Sequence, residues 1–175
     1  MFKDYDQKVS QNDLYALIRE WEHGEQDFKY RISDARKIAR TLSAFANTTG
    51  GRLLVGVRDN GSIAGVKDED DIYMLESASE IFLKPALKLE VWAHEIEGKN
   101  VWEIEVAEGK EKPYQVDEID GLKAYYRDND QNFVANALSV LAILRASEIR
   151  YLKSCSLCSP SRMRAYKSFC ETFWS

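Results

Sequence analysis

The chain has 175 residues, enough for one domain with room for an appendage. Hydrophobic residues make up 45% and charged residues 30%, which excludes a disordered or fibrous chain. A net charge of −5 excludes phosphate binding by a uniformly positive surface, but it leaves room for a local basic patch. Residues 28–42 are such a patch, with five cations against Asp34, and they are followed at 68–71 by the acidic run "DEDD".

In chain order, residues 10–22 carry Leu14, Leu17, Ile18 and Trp21 at helical spacing behind a capping Ser10. The charged N-terminus "MFKDYDQKVS" is unlike a secretory signal. "EQDFKY" alternates as a strand, with Glu25, Asp27 and Lys29 on one face and Phe28 and Tyr30 on the other. Ser33 can cap a second helix over 34–47, whose buried stripe is Ile38, Ala39, Leu42, Phe45 and Ala46. Gly50 and Gly51 end it, and "RLLVGV" and "SIAGV" flank the hairpin signal "DNG". Phosphate loops run from strand through glycine to helix, so that a helix N-terminus faces the anion. Here the order is reversed, and the glycine pair reads as a chain reversal with close packing.

"DEDDIYMLESASEIFLK" reads as a third helix with an acidic first turn, ended by Pro85. "KLEVWAHEI" and "VWEIEV" form a second hairpin, and "YQVDEI" and "LKAYYR" a third. In "VWEIEV", the face of Val101, Glu103 and Glu105 reads as polar. Residues 131–148 read as a long helix with Phe133, Leu138, Leu141 and Leu144. The predicted fold is α+β, a mainly antiparallel sheet of hairpins with helices packed on it. The predicted division is a domain over 1–150 and a C-terminal tail or truncated second module over 151–175. That tail holds Cys155, Cys158 and Cys170; two cysteines in a CxxC without a visible fourth ligand make a poor zinc site. The longest apolar run, Ala137 to Leu144, is far short of the roughly 20 residues of a membrane helix, so no membrane partner and a cytoplasmic location are expected.

"EHGEQDFKY", "IARTLSAFANTTGGRLLVGVRDNGSIAGV", "KPYQV" and "KAYYRDNDQ" together resemble the Schlafen/AlbA-like DNA-binding domain, over about residues 10–145. The resemblance implies an α+β nucleic-acid-binding fold, here in a bacterial transcriptional regulator. Lys29, Arg31, Arg36, Lys37 and Arg40 are the candidate phosphate contacts, joined by Arg127. DNA is the expected partner and a homodimer the expected assembly.

Some Schlafen proteins are metal-dependent RNA endonucleases with three carboxylates. The matching positions are Glu22, with Glu25 competing for the same place, Asp27 and Asp59. Under that alternative these residues would hold Mg²⁺ or Mn²⁺, and Lys29 would steady the phosphate. Arg58 stands where a further acid is sometimes found, and a cation there weakens a metal site. Otherwise no cofactor is expected. A third reading is a protein-interaction or oligomerisation module, suggested by the negative charge and by Tyr166, Phe169, Phe173 and Trp174 in the tail. Two histidines far apart in sequence leave no visible nucleophilic triad.

Overall fold

The computed structural model describes residues 11–66 and 70–154. The predicted α+β class holds, but the strands divide between two four-stranded sheets. The first contains β1 (Gln26–Lys29), β2 (Gly51–Val55), β5 (Lys99–Val106) and β4 (Glu90–Ile96), in that spatial order. β1 runs parallel to β2, and the other pairs are antiparallel. The second sheet is antiparallel, in the order β3 (Leu83–Lys84), β6 (Gln115–Glu118), β7 (Gly121–Asp128) and β8 (Gln131–Val134).

Helix α2 (Ala35–Asn47) is the hub. Ile38, Ala39, Leu42, Phe45 and Ala46 meet Leu53, Val55, Trp102, Ile104 and Val106 of the first sheet, and Tyr114, Val116 and Tyr125 on the side of the second. Helix α1 (Gln11–Arg19) covers the opposite face of the first sheet, where Leu14 and Ile18 pack with Phe28, Leu54, Val57, Ile96 and Val101.

Ten of the thirteen residues of α2 are buried, so its polar side chains need partners inside the protein. Ser43 Oγ donates to Tyr114 O at 2.7 Å and accepts from Tyr125 N at 3.1 Å. Asn47 Nδ2 donates to Tyr114 O and Tyr125 O, both at 2.8 Å, while its Oδ1 accepts from Tyr114 N at 2.8 Å. Thr41 Oγ1 accepts from Asn132 Nδ2 at 3.0 Å. The polar letters of "TLSAFAN" therefore fasten the helix to β7, β8 and the chain entering β6.

The glycine pair is a reversal, as its order in the sequence implies. Gly50 takes a φ of 85° and its N–H closes the helix on Phe45 O at 2.9 Å. A Cβ at Gly51 would stand 2.4 Å from the Phe45 ring, so only glycine lets the strand pass the helix end.

Several elements differ from expectation. α1 ends at Arg19, and Trp21 leaves it with a left-handed φ of 61° and 55% exposure, outside the buried stripe. The Gln26 side chain explains the stop, because its Nε2 takes the carbonyls of Leu17 and Trp21. Asp34, not Ser33, caps α2, accepting from the backbone N–H of Arg36 and Lys37. "SIAGV" is no return strand beyond a single bridge between Val57 and Ile63, because both edges of β2 are taken by β1 and β5. The third helix is α3 (Asp70–Glu76), a wider π-type turn over Ser77–Ile81, and then β3. The outward face of β5 is not simply polar, since Val101 and Glu103 on it are buried.

The expected helix from 131 is also corrected. Asn129, at φ 53°, closes a tight turn that pairs Asp128 with Gln131, and 131–134 return as β8. Helix α4 (Ala137–Ser154) starts after it and runs across position 150, the expected domain boundary. The cysteines and the aromatic tail lie outside the described residues. No helix among the described residues is long and apolar enough to cross a membrane.

Replacing Asn47 by alanine takes the side-chain partner from Tyr114 N and Tyr125 O and leaves Tyr114 O with Ser43 Oγ alone. The expected loss is about 3 kcal/mol or more, read by urea unfolding.

Candidate nucleic-acid interface

The structure sorts the candidate cations into two groups. Arg31 and Lys37 are exposed, and among the described residues neither side chain has a carboxylate partner. Arg36 is half-buried beside them, its guanidinium 4.7 Å above the Phe82 ring and its Nε 3.3 Å from Asp117 O. These three flank the first turn of α2, where Asp34 already occupies the free N–H groups.

Arg40 is engaged within the fold, although its side chain stays 39% exposed. It forms a fork with Glu118, Nε to Oε1 at 2.6 Å and Nη2 to Oε2 at 2.9 Å. The Tyr125 hydroxyl donates to the same carboxylate at 2.8 Å. The Glu118 side chain is 7% exposed, and the Arg40 fork holds its pKa down to about 2. Burial, and then the Glu118 bond, push the Tyr125 hydroxyl up to about 12.

Arg127 is buried. Its Nε and Nη2 donate to His23 O, Nη2 also to Gln26 O, and Nη1 to Asn132 Oδ1, while the guanidinium lies 4.8 Å over the Phe45 ring. It ties β7 to the turn before β1, and its three nitrogens are occupied, so no face is left for a phosphate. Lys29 is half-buried, with Nζ 2.6 Å from Asp27 Oδ2 and 2.9 Å from Phe28 O.

The acidic candidates separate in the same way. Asp27 stands beside Leu53 on the inner face of the first sheet and is 4% exposed. Its Oδ1 lies 3.6 Å from Arg127 Nη2. Its Oδ2 is close enough to Lys29 for an ion pair, but off the angle of a hydrogen bond; with Gln26 Oε1 it is a buried side-chain oxygen without a hydrogen-bond partner among the described residues. Glu22 lies beside Asp27: its Oε1 accepts from Phe28 N at 2.8 Å, and the neighbouring Asp27 carboxyl disfavours its ionisation. Burial raises the Glu22 pKa most; the Phe28 N–H opposes this, and the neighbouring Asp27 adds to it.

Glu25 and Asp59 are exposed, Glu25 in the turn before β1 and Asp59 in the turn after β2. Among the described residues no three His, Cys, Asp or Glu side chains are placed to hold a metal. Two adjacent carboxyls with an ammonium at 2.6 Å are a self-neutralised cluster, and this donor set does not fit Mg²⁺ or Mn²⁺.

Sequence reasoning did not find the Glu103 site. Glu103 is buried between His94 Nε2 at 2.9 Å and Arg52 Nε at 2.6 Å. Although burial raises its pKa, these two partners hold it below the ordinary range. The register places His94 and Glu103 near each other across β4 and β5, but only a known pairing reveals it. The exposed pair Tyr30 and Arg58, with the guanidinium 5.1 Å over the ring, also went unread, because the two lie far apart in sequence.

A helix enclosed between two four-stranded sheets, with a parallel β1–β2 pair at one edge and a basic first turn at the surface, defines the class as an α+β domain of the Schlafen core type. Residues 22–136 match the family described as Schlafen, AlbA_2, and the chain belongs to that family. Among solved structures it resembles the DIP2311 protein from Corynebacterium diphtheriae, with 23% identity and a TM-score of 0.54. That match covers 71% of this chain and 24% of the other, so the chain spans about a quarter of that protein's length, and the likeness bears on fold alone. It also matches the N-terminal domain of a RecG-related protein, named for an ATP-dependent DNA helicase, from Nitrosomonas europaea. There the identity is 25% and the TM-score 0.49, over 74% of this chain and 96% of that one. No curated protein sequence matches the chain.

Two pH effects follow. The folded pKa of Glu118 lies below its ordinary 4.5, so its contribution to stability is complete above that value and is lost as pH falls towards about 2. Glu118→Gln should flatten that acid limb in a pH series of thermal melts. Glu22 has the opposite sign: its raised pKa costs stability as pH climbs through the folded value. Glu22→Gln keeps the acceptor for Phe28 N and offers Asp27 a donor. It should be neutral or stabilising in urea unfolding at pH 8, and slightly destabilising or neutral near pH 4.

Proposed function

We propose that this chain is a nucleic-acid-binding domain, with DNA as its ligand, and that Arg31, Arg36 and Lys37 supply its phosphate contacts. The observation that carries this reading is the position of those cations. A positive charge in the first turn of a helix opposes the helix dipole, so Arg36 and Lys37 do not help α2 to form. Arg31 and Lys37 also lack a carboxylate partner among the described residues. Cations kept at some cost and left unpaired suit an external anion. The polymer with one negative charge per nucleotide is the ligand that membership of the Schlafen, AlbA_2 family favours.

Arg40 and Arg127 leave the list of contacts, because Glu118 holds the Arg40 guanidinium in a fork and Arg127 is consumed inside the fold. Lys29 contributes at most from the edge of the patch, since Asp27 holds it. Phosphate contacts give affinity and register rather than sequence reading. A role as the DNA-binding part of a bacterial transcriptional regulator, acting as a homodimer in the cytoplasm, would therefore need base contacts or a partner module in addition.

The test is a salt titration of binding to a labelled duplex. Three contacts predict a log–log slope of about −2.7. Arg31→Ala with Lys37→Ala should weaken binding and reduce the slope by about 2. Lys110→Ala, on an exposed loop at the opposite, C-terminal end of α2, should change neither. A slope unmoved by the double variant would reject this patch as the interface.

A further inference from the structure

The phosphate patch does not end at α2. Arg31 follows Tyr30, and Tyr30 is 40% exposed with the Arg58 guanidinium 5.1 Å over its ring. Arg58 is itself exposed, with its Nη1 3.4 Å from Ser62 Oγ. It comes from the turn after β2, which Gly61 N closes on Arg58 O at 2.7 Å. That turn lies against α1, since a Cβ on Gly61 would be 3.4 Å from Ile18. Past the end of α1, Trp21 is held at φ 61° and is 55% exposed. A bulky residue in left-handed backbone is uncommon and strained. Here that conformation belongs to an indole on the surface, where burial does not repay it.

We infer that Tyr30 and Arg58 form a stacking platform for an unpaired base of a single-stranded nucleic acid, and that Trp21, exposed past the end of α1, can take a further base. The inference rests on the nucleic-acid reading above and deepens it. An aromatic ring and a planar guanidinium both present flat faces, and bases stack on either. Bases inside a duplex have their faces covered by their neighbours, so the platform selects single strands. Arg31, next to Tyr30 in sequence, and Lys37 are exposed cations that a strand's phosphates would meet. Stacking tolerates any base, so the platform favours unpaired segments without reading their sequence. Asp59, exposed beside Arg58, sets a limit on how close a phosphate comes to this edge. The same chemistry is offered by single-stranded DNA and RNA.

The experiment measures fluorescence anisotropy of the full chain with four labelled 12-mers at one salt concentration: dT, rU, an abasic DNA strand and a DNA duplex. The base-bearing single strands should bind about tenfold or more tightly than the abasic strand. Tyr30→Ala and Arg58→Ala should each lose about tenfold on dT or rU, and Tyr30→Ala should change nothing on the abasic strand. Tyr30→Phe, which keeps the ring, should restore binding. The stronger of dT and rU names the sugar. Salt-dependent binding that is equal for dT and abasic strands, or indifferent to Tyr30→Ala, overturns the platform and leaves the phosphate patch standing. No binding to any of the four overturns the nucleic-acid reading, and the platform with it.

Discussion

The second sheet is held on helix α2 by Ser43 and Asn47, while the first packs on the same helix through apolar side chains. Ser43 and Asn47 supply the hydrogen bonds that the backbone of Tyr114 and Tyr125 lacks where β7 passes α2. A fully apolar α2 would bury as much surface but leave those peptide groups unpaired, at a cost comparable to the stability of a small domain. The glycines that follow belong to the same constraint. With Gly51 against the Phe45 ring, β2 starts close enough to the helix end for Leu53 and Val55 to reach its apolar side.

Several charged side chains are built into the fold, and most of their charges are matched. Arg40 with Glu118, Arg127 with two backbone carbonyls, and Glu103 with His94 and Arg52 each span different strands or a helix and a strand. Such pairs add less to stability than apolar packing would, but breaking one partner away leaves a buried charge alone. Lys112 shows the same economy: its ammonium, driven to a lower pKa by burial, bonds Thr48 O at the end of α2 and Glu108. A chain with net charge −5 thereby uses several of its cations for assembly. Arg31 and Lys37, by the first turn of α2, are left without a carboxylate partner among the described residues.

Glu22 and Asp27 stand where the family resemblance implies metal-binding carboxylates, and they do come together. Their five-residue spacing alone does not do this. The tight turn at His23–Gln26, closed by mutual backbone hydrogen bonds, folds Glu22 back onto the Phe28 N–H. Asp59 stays outside at an exposed turn, and Lys29 fills the space a third ligand would share. The cluster is thus arranged to neutralise itself.

Local signals in the sequence determined much of this protein. Periodicity placed the core of α2 at Ile38, Ala39, Leu42, Phe45 and Ala46, and turn residues placed the β4–β5 and β6–β7 hairpins. The order helix, glycine, strand was enough to set aside a phosphate loop at Gly50. The motif around "AFANTTGG" identified the family that residues 22–136 match. The misreadings arose where a distant partner decided a local question. Residues 131–134 became a strand because β7 offered an edge, and "SIAGV" did not because β2 had none left. Arg40 and Arg127 look like Arg31 and Lys37 in a one-dimensional charge pattern. Only the tertiary structure separated them, because whether a cation is free depends on which carboxylate or carbonyl lies within hydrogen-bond reach, and those partners sit 78 residues away for Arg40 and 101 or more for Arg127.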